Sequence, residues 1–226
     1  KASNVDYDPI FILNENTNKI NFFLTKDQYL SDIKNDILNN LSKITLLEAG
    51  AGYGKTEMIK AFKSRVLLVL PFTSIIKSKI ELDEKTSDWL YYYGSKKPTL
   101  DELLDKTKSM SMTIDKFSHL NLYELDAAQF EYIVIDESHL LFTSSYRDVM
   151  SPTIQRLANC SAKVILMTGT PTAETLFFPK INHIRVKREE TRIKEFTAAI
   201  CTDTDVRDRE MIMSMVQDIK NGIKII

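Results

Sequence analysis

The stretch Ile44-Thr45-Leu46-Leu47-Glu48-Ala49-Gly50-Ala51-Gly52-Tyr53-Gly54-Lys55-Thr56 joins a short apolar run to a turn holding three glycines, then to a lysine and a hydroxyl. Ile44 to Leu47 predicts a strand, and Met58, Ile59 and Phe62 beyond the turn predict a helix. Glycines at 50, 52 and 54 allow a turn tight enough for successive backbone N–H groups to point inward. The helix beginning near Lys55 adds its positive N-terminal end. Residues Ala49 to Thr56 therefore suit the phosphates of a nucleotide, with Lys55 reaching the β- and γ-phosphates and the Thr56 hydroxyl holding Mg²⁺. Ala49 departs from the glycine usual at the first position without changing that geometry. The plain alternative is a glycine-rich turn with no ligand.

Outward from this loop, apolar runs alternate with helical stretches. Val66 to Leu70, Tyr132 to Ile135 and Val164 to Met167 are continuous apolar runs. Such runs mark strands buried on both faces, hence a parallel sheet packed between helices. The expected fold is α/β, a three-layer sandwich with a mostly parallel sheet. Upstream, Tyr29, Leu30, Ile33, Ile37, Leu38 and Leu41 recur at three- and four-residue intervals, with Asp27 and Asp32 in the first two turns. This predicts an amphipathic helix from Thr25. Residues 1–25, rich in Asn, Asp and Lys, read as an irregular arm or short strands packed loosely on the body.

From Lys77 to Lys108 the rhythm breaks: Trp89-Leu90-Tyr91-Tyr92-Tyr93 beside Lys96 and Lys97 reads as a strand or loop, followed by a helix around Leu100 to Leu104. Beyond Pro179 the charged run Lys187-Arg188-Glu189-Glu190 reads as a linker or an edge strand. Met211 to Ile219 has helical spacing, Asn221-Gly222 is a helix stop, and Ile223 to Ile226 reads as the start of a strand.

The 226 residues, 43% hydrophobic and 27% charged, are enough for one well-buried domain and a fragment of another. With 30 basic against 31 acidic residues, contact with an anionic polymer must come from a local patch. Cys160 and Cys201 lack the paired spacing of zinc sites and read as reduced thiols. No apolar run approaches the roughly 20 residues that cross a bilayer, and the N-terminus lacks a signal-peptide layout, so the default expectation is a cytoplasmic, intracellular protein.

A second chemical signal is Asp136-Glu137-Ser138-His139, directly after the apolar run 132–135. Ligands of open parallel sheets gather at the carboxyl ends of strands, so these carboxylates face the same crevice as the glycine loop. Asp136 is expected in the outer shell of the Mg²⁺, and Glu137 to orient and deprotonate the attacking water. Alone, an acidic pair at a strand end also suits a solvated turn. Combined with the loop, it makes Glu137, Asp136 and Lys55 the candidate catalytic groups for hydrolysis of ATP.

AGAGYGKT at 49–56 and DESH at 136–139 together resemble the DExH/DEAH-box ATPases of helicase superfamily 2. Leu70-Pro71-Phe72-Thr73-Ser74 resembles that family's motif Ia, which contacts the nucleic-acid backbone. Met112-Thr113-Ile114-Asp115-Lys116-Phe117 is similar to the strand and turn ahead of motif II, and Met167-Thr168-Gly169-Thr170-Pro171-Thr172 to motif III. The resemblance implies nucleic-acid contacts at Thr73, Ser74 and Thr113, with Lys77, Lys79 and Lys116 nearby. It also implies an adenine-reading role for Gln28, for which a solvent-facing glutamine is the alternative. Thr168, Thr170 and His139 are candidates for coupling the γ-phosphate to the rest of the motor; local satisfaction of a strand end and a helix-start histidine are the alternatives. The aromatics at 89–93 suit either base stacking or the core, and Arg147 a surface salt bridge.

The organisation implied is an arm at 1–25, a RecA-like ATP-binding domain at 26–186, and at 187–226 a linker and the start of a second RecA-like domain. ATP and Mg²⁺ are the expected cofactors, and nucleic acid, DNA ahead of RNA, the expected partner. Without the second domain the chain is expected to bind nucleotide and hydrolyse it slowly at best. The rival functions are a nucleic-acid translocase that does not unwind and a P-loop switch ATPase acting on a protein partner.

Overall fold

The computed structural model describes residues 18–81, 88–143, 150–171, 174–178 and 180–188. Arg147, Cys201, and the helix and strand expected within 205–226 lie outside them. The described chain runs β1 (Lys19–Leu24), α1 (Lys34–Asn39), β2 (Ile44–Ala49), α2 (Lys55–Lys60), β3 (Val66–Leu70) and α3 (Thr73–Ile75), which passes into a π-helical turn at Ile76–Glu81. It continues through β4 (Leu90–Tyr92), α4 (Leu100–Leu104), β5 (Met110–Thr113), α5 (Ile114–Ser118), α6 (Leu122–Ala128), β6 (Tyr132–Asp136) and α7 (His139–Thr143). The last elements are α8 (Met150–Asn159), β7 (Lys163–Thr168), α9 (Glu174–Phe177) and β8 (Asn182–Arg188).

Among the described residues eight strands form one sheet in the order β1-β8-β2-β7-β6-β3-β5-β4, and every pairing is parallel. The three-layer α/β sandwich is thus present. Strand residues alternate between two cores. Ile44, Leu46, Val69, Ile135 and Leu166 face one, with Phe117, Leu125 and Leu157 from the helices. Leu47, Leu68, Val134 and Met167 face the other, with Ile37, Met58 and Ile59. Continuous apolar strands are needed because both faces are covered.

The helix expected from Thr25 begins only at Lys34. Side chains hold the preceding residues in turns: the Gln28 Oε1 accepts from Thr25 N–H at 3.0 Å and Asp32 Oδ2 from Tyr29 N–H at 2.7 Å. Such local side-chain acceptors compete with the helical ladder, which is why the periodicity of Tyr29, Leu30 and Ile33 overran the helix. Leu30 is nonetheless fully buried.

At the other margin, Lys187 and Arg188, the described part of the charged run, belong to an inner strand and not to an edge. β8 lies between β1 and β2, with Glu48 opposite Arg185. Its polar face is satisfied there, since Glu48 Oε2 accepts from His183 Nε2 and Arg185 Nε, each at 2.7 Å. β1, which falls within the expected arm, supplies the outer strand, so among the described residues the sheet runs from residue 19 to residue 188.

Arg65 fastens the far side of the sheet. Its guanidinium donates to the carbonyls of Lys108 and Leu103, both at 2.8 Å, and of Ala128, and stacks 4.3 Å from the centre of the Phe130 ring. Burial lowers its pKa, opposed by Asp105. In the aromatic cluster, Tyr92 is fully buried while Trp89, Tyr91 and Tyr93 pack against the core from partly buried positions. Of the two roles open to these rings, Tyr92 takes the core one and the others line its margin. Cys160 is a buried free thiol, its pKa raised by desolvation. Among the described residues no helix is long and apolar enough to cross a membrane.

Candidate functional site

β2, β7 and β6 lie side by side, and the loops leaving their carboxyl ends carry the three central motifs. After β2 the backbone turns through Gly52 (φ 74°) and Gly54 (φ 83°). Gly54 is the left-handed residue from which α2 starts, and a Cβ there would lie 3.4 Å from the Tyr29 Cβ. Beside Gly52 there is open space. Gly50 is close-packed instead, because an added Cβ would meet the Tyr53 ring at 2.9 Å. Ala49 is the buried last residue of β2, Ala51 is exposed, and Lys55 and Thr56 are half-buried in the first turn of α2.

Lys55 Nζ donates to the Ala49 carbonyl at 3.0 Å and lies 3.7 Å from Glu137 Oε1. The glycine loop and the acidic motif, 80 residues apart in sequence, therefore meet through this pair. Asp136 ends β6, is 7% exposed, and accepts from the Glu137 N–H at 3.1 Å. It continues the parity of Tyr132 and Val134, on the face covered by α2. Glu137 adopts φ 48°, unusual for a residue with a side chain. Left-handed backbone of this kind costs on the order of 1–3 kcal/mol and persists where its surroundings over-determine it. Here the Ser138 N–H is held by the Met167 carbonyl at 2.9 Å, and the Glu137 carbonyl accepts from the Leu140 N–H at 2.9 Å.

His139 opens α7 and bridges two motifs: its Nδ1 lies 3.0 Å from Thr168 Oγ1 and 3.4 Å from Glu137 Oε2. Thr168 is fully buried at the end of β7, and its Oγ1 also accepts from the Thr170 N–H at 3.1 Å. The Thr170 side chain is exposed. Gly169 passes close to the loop, since a Cβ there would lie 3.4 Å from the Ala49 carbonyl oxygen and 4.0 Å from Lys55 Nζ. A cation, two carboxylates, an imidazole and a run of loop amides thus converge at one sheet end. This arrangement can bind an anion at Lys55 and accept a proton at Glu137.

The remaining expected residues lie farther out. Thr73 and Ser74 begin α3 after β3, half-buried and exposed respectively, with Lys77 5.3 Å from the centre of the Tyr93 ring. Thr113 is 6% exposed, and its hydroxyl caps α5 by accepting from the Lys116 N–H. That hydroxyl is used inside the protein as a helix cap. Gln28 sits in the turn before α1, not on a helix, and its carbonyl end is taken by Thr25.

Sequence reading missed Glu174. It is 1% exposed, and its Oε1 accepts from the Ser138 hydroxyl at 2.9 Å, tying the acidic motif to α9. A single glutamate among residues 171–177 carries no signal of its own; only the fold brings it to Ser138.

A wholly parallel sheet with a glycine loop after one strand and an acidic motif two strands away defines the RecA-like class of α/β fold. The DEAD/DEAH box helicase family model matches residues 31–177, well over half of the chain, and the chain belongs to that family. Two similar solved structures are the SWI2/SNF2 ATPase core of Sulfolobus solfataricus in complex with dsDNA and a DEAD box protein from the hyperthermophile Methanococcus jannaschii. The first is 18% identical with a TM-score of 0.44, covering 66% of this chain and 32% of that one. The second is 16% identical with a TM-score of 0.43, covering 71% and 54%. The chain thus spans about a third and about half of the lengths of these structures. No curated protein compared with the chain matches it.

Proposed function

We propose that this chain is the N-terminal motor domain of a nucleic-acid-dependent ATPase, which couples ATP hydrolysis to movement along DNA or RNA. The observation that carries the reading is the meeting of Lys55 and Glu137 at 3.7 Å between the glycine loop and the acidic motif. The residues present fit a magnesium nucleotide. The loop opens to free space at Gly52, and Thr56 and the buried Asp136 offer the oxygen donors that Mg²⁺ prefers.

In this reading the loop amides of residues 50–55 and the Lys55 ammonium bind the phosphates, while the Thr56 hydroxyl and Asp136 hold the metal, Asp136 from its outer shell. Bound ATP with Mg²⁺ supplies the scissile phosphoanhydride and neutralises the phosphate charge. Glu137 orients the attacking water and takes its proton on a carboxylate oxygen. His139 and Thr168 report the state of Glu137 to β7 and the Thr170 segment. Thr73 and Ser74 contact the nucleic-acid backbone, which gives tracking without base readout. A second RecA-like domain closing over the nucleotide, and DNA as the polymer, belong to the same proposal.

The test is a pair of substitutions in the longest protein that contains this chain. Glu137→Gln is expected to keep nucleotide affinity and lose turnover by about 10²–10⁴-fold, and Lys55→Ala to weaken nucleotide binding. Unchanged turnover in Glu137→Gln would refute the role given to that carboxylate, and equal affinity in Lys55→Ala would remove Lys55 from the phosphate site.

A further inference from the structure

Tyr53, in the middle of the glycine loop, is held from three sides. Its ring edge fills the space over Gly50, its carbonyl accepts from the Leu30 N–H at 2.9 Å, and its hydroxyl accepts from the Arg188 N–H at 3.2 Å. The Arg188 guanidinium then stacks between two rings, 4.6 Å from the centre of Tyr53 and 5.2 Å from that of Tyr29. Its Nη2 donates to the Gln28 carbonyl at 2.6 Å. One arginine at the end of β8 thus clamps the glycine loop to the turn ahead of α1. The Arg188 Nε is itself buried, with no hydrogen-bond partner among the described residues. Leaving a buried guanidinium donor unmade costs free energy, which the stacking on two rings and the bond to Gln28 offset.

We infer that Arg188 is a positioning residue for nucleotide binding, acting through Tyr53. It holds the loop in the shape that presents its amides to the phosphates. A loop with left-handed residues at Gly52 and Gly54 has many alternative conformations, and ordering it on binding would reduce affinity. Stacking Tyr53 beneath a planar cation makes that ordering a property of the free protein. The planarity matters, because lysine offers a point charge without the flat face or the fork that reaches Gln28. This inference rests on the nucleotide reading of residues 49–56.

A double-mutant cycle tests it, with affinity for a fluorescent ATP analogue as the readout in the full chain. Arg188→Ala and Tyr53→Ala are each expected to weaken binding about tenfold, or about 1.4 kcal/mol, and the double variant no further. Arg188→Lys should recover little of the loss. Tyr53→Phe, which keeps the ring, should bind within about threefold of the parent, a loss of about 0.65 kcal/mol. Full affinity in Arg188→Ala, or losses that add in the double variant, would overturn the inference, as would complete rescue by lysine. If Arg188→Ala does not fold, Tyr53→Ala against Tyr53→Phe decides the same question, and equal affinity of those two overturns it. Lys55→Ala serves as the control: binding lost there but kept in the Arg188 and Tyr53 variants defeats the positioning role alone, whereas binding kept in Lys55→Ala defeats the nucleotide reading beneath it.

Discussion

Thr168 shows how much rests on single atoms at this site. Its one hydroxyl oxygen, fully buried, meets His139 Nδ1 and the Thr170 N–H, and through His139 it stands two contacts from Glu137. Valine has nearly the same shape but no hydroxyl, so Thr168→Val removes the link and leaves two polar partners to find others. In the proposed motor this variant is expected to bind nucleotide like the parent while nucleic-acid-stimulated turnover falls about tenfold, that is about 1.4 kcal/mol. The ratio of stimulated to basal ATPase rates measures it, and an unchanged ratio would remove Thr168 from the coupling path. Glu174 makes the companion point. A buried carboxylate accepting from Ser138 holds the acidic motif from behind, and nothing adjacent to it in sequence announces this.

Elements here are short, and several are held by side chains more than by their own ladders. α4 has five residues and carries a full capping box, with Thr99 and Glu102 each accepting from the other's backbone N–H. The Glu102 pKa is lowered, first by the Thr99 backbone N–H and, among the smaller contributions, by the Thr99 hydroxyl and Tyr92. A depressed carboxylate stabilises above its unfolded value and loses that contribution as the pH falls through the folded one. The first turn of α4 is therefore expected to be intact at neutral pH and to fray below about pH 4, seen as a shift of the Thr99 amide resonance in an NMR titration. An amide that does not move over that range would refute the cap. Arg65 does the corresponding work between elements. Replacing it with leucine leaves the carbonyls of Leu103, Lys108 and Ala128 without their donor, so Arg65→Leu is expected to cost about 2–4 kcal/mol. Urea denaturation checks this, and a loss below about 0.5 kcal/mol would show that water replaces the guanidinium.

For the whole molecule the near balance of 30 basic and 31 acidic residues carries a consequence. A polyanion meets no general attraction, so binding through the α3 region should involve few phosphates and depend only modestly on salt. For the motor as proposed, with a second RecA-like domain, the expected result is ATPase stimulation by nucleic acid. Replacing Thr73 and Ser74 with alanine should raise the concentration giving half-stimulation by about threefold to tenfold, alike for different sequences. If neither DNA nor RNA changes the rate, the switch ATPase becomes the better reading. Strand displacement compared with triplex displacement then separates an unwinding motor from a translocase.

Much of this protein is legible in its amino-acid sequence. The continuous apolar runs at 66–70, 132–135 and 164–167 are strands at those places, because burial on both faces of a parallel sheet demands local hydrophobicity. The glycine loop and the acidic motif were equally plain, since turn geometry and strand-end carboxylates are properties of a few neighbouring residues. The rest depends on partners far along the chain. β8 reads as a charged edge until Glu48, 135 residues away, neutralises its polar face and allows it to sit inside the sheet. The helix written into Tyr29, Leu30 and Ile33 gives way to turns, and Arg188 reaches back 160 residues to bind that turn at Gln28. Periodicity and turn chemistry are local and survive in one dimension. The pairing of a buried charge or a half-polar strand is set by whichever distant group the fold brings to it.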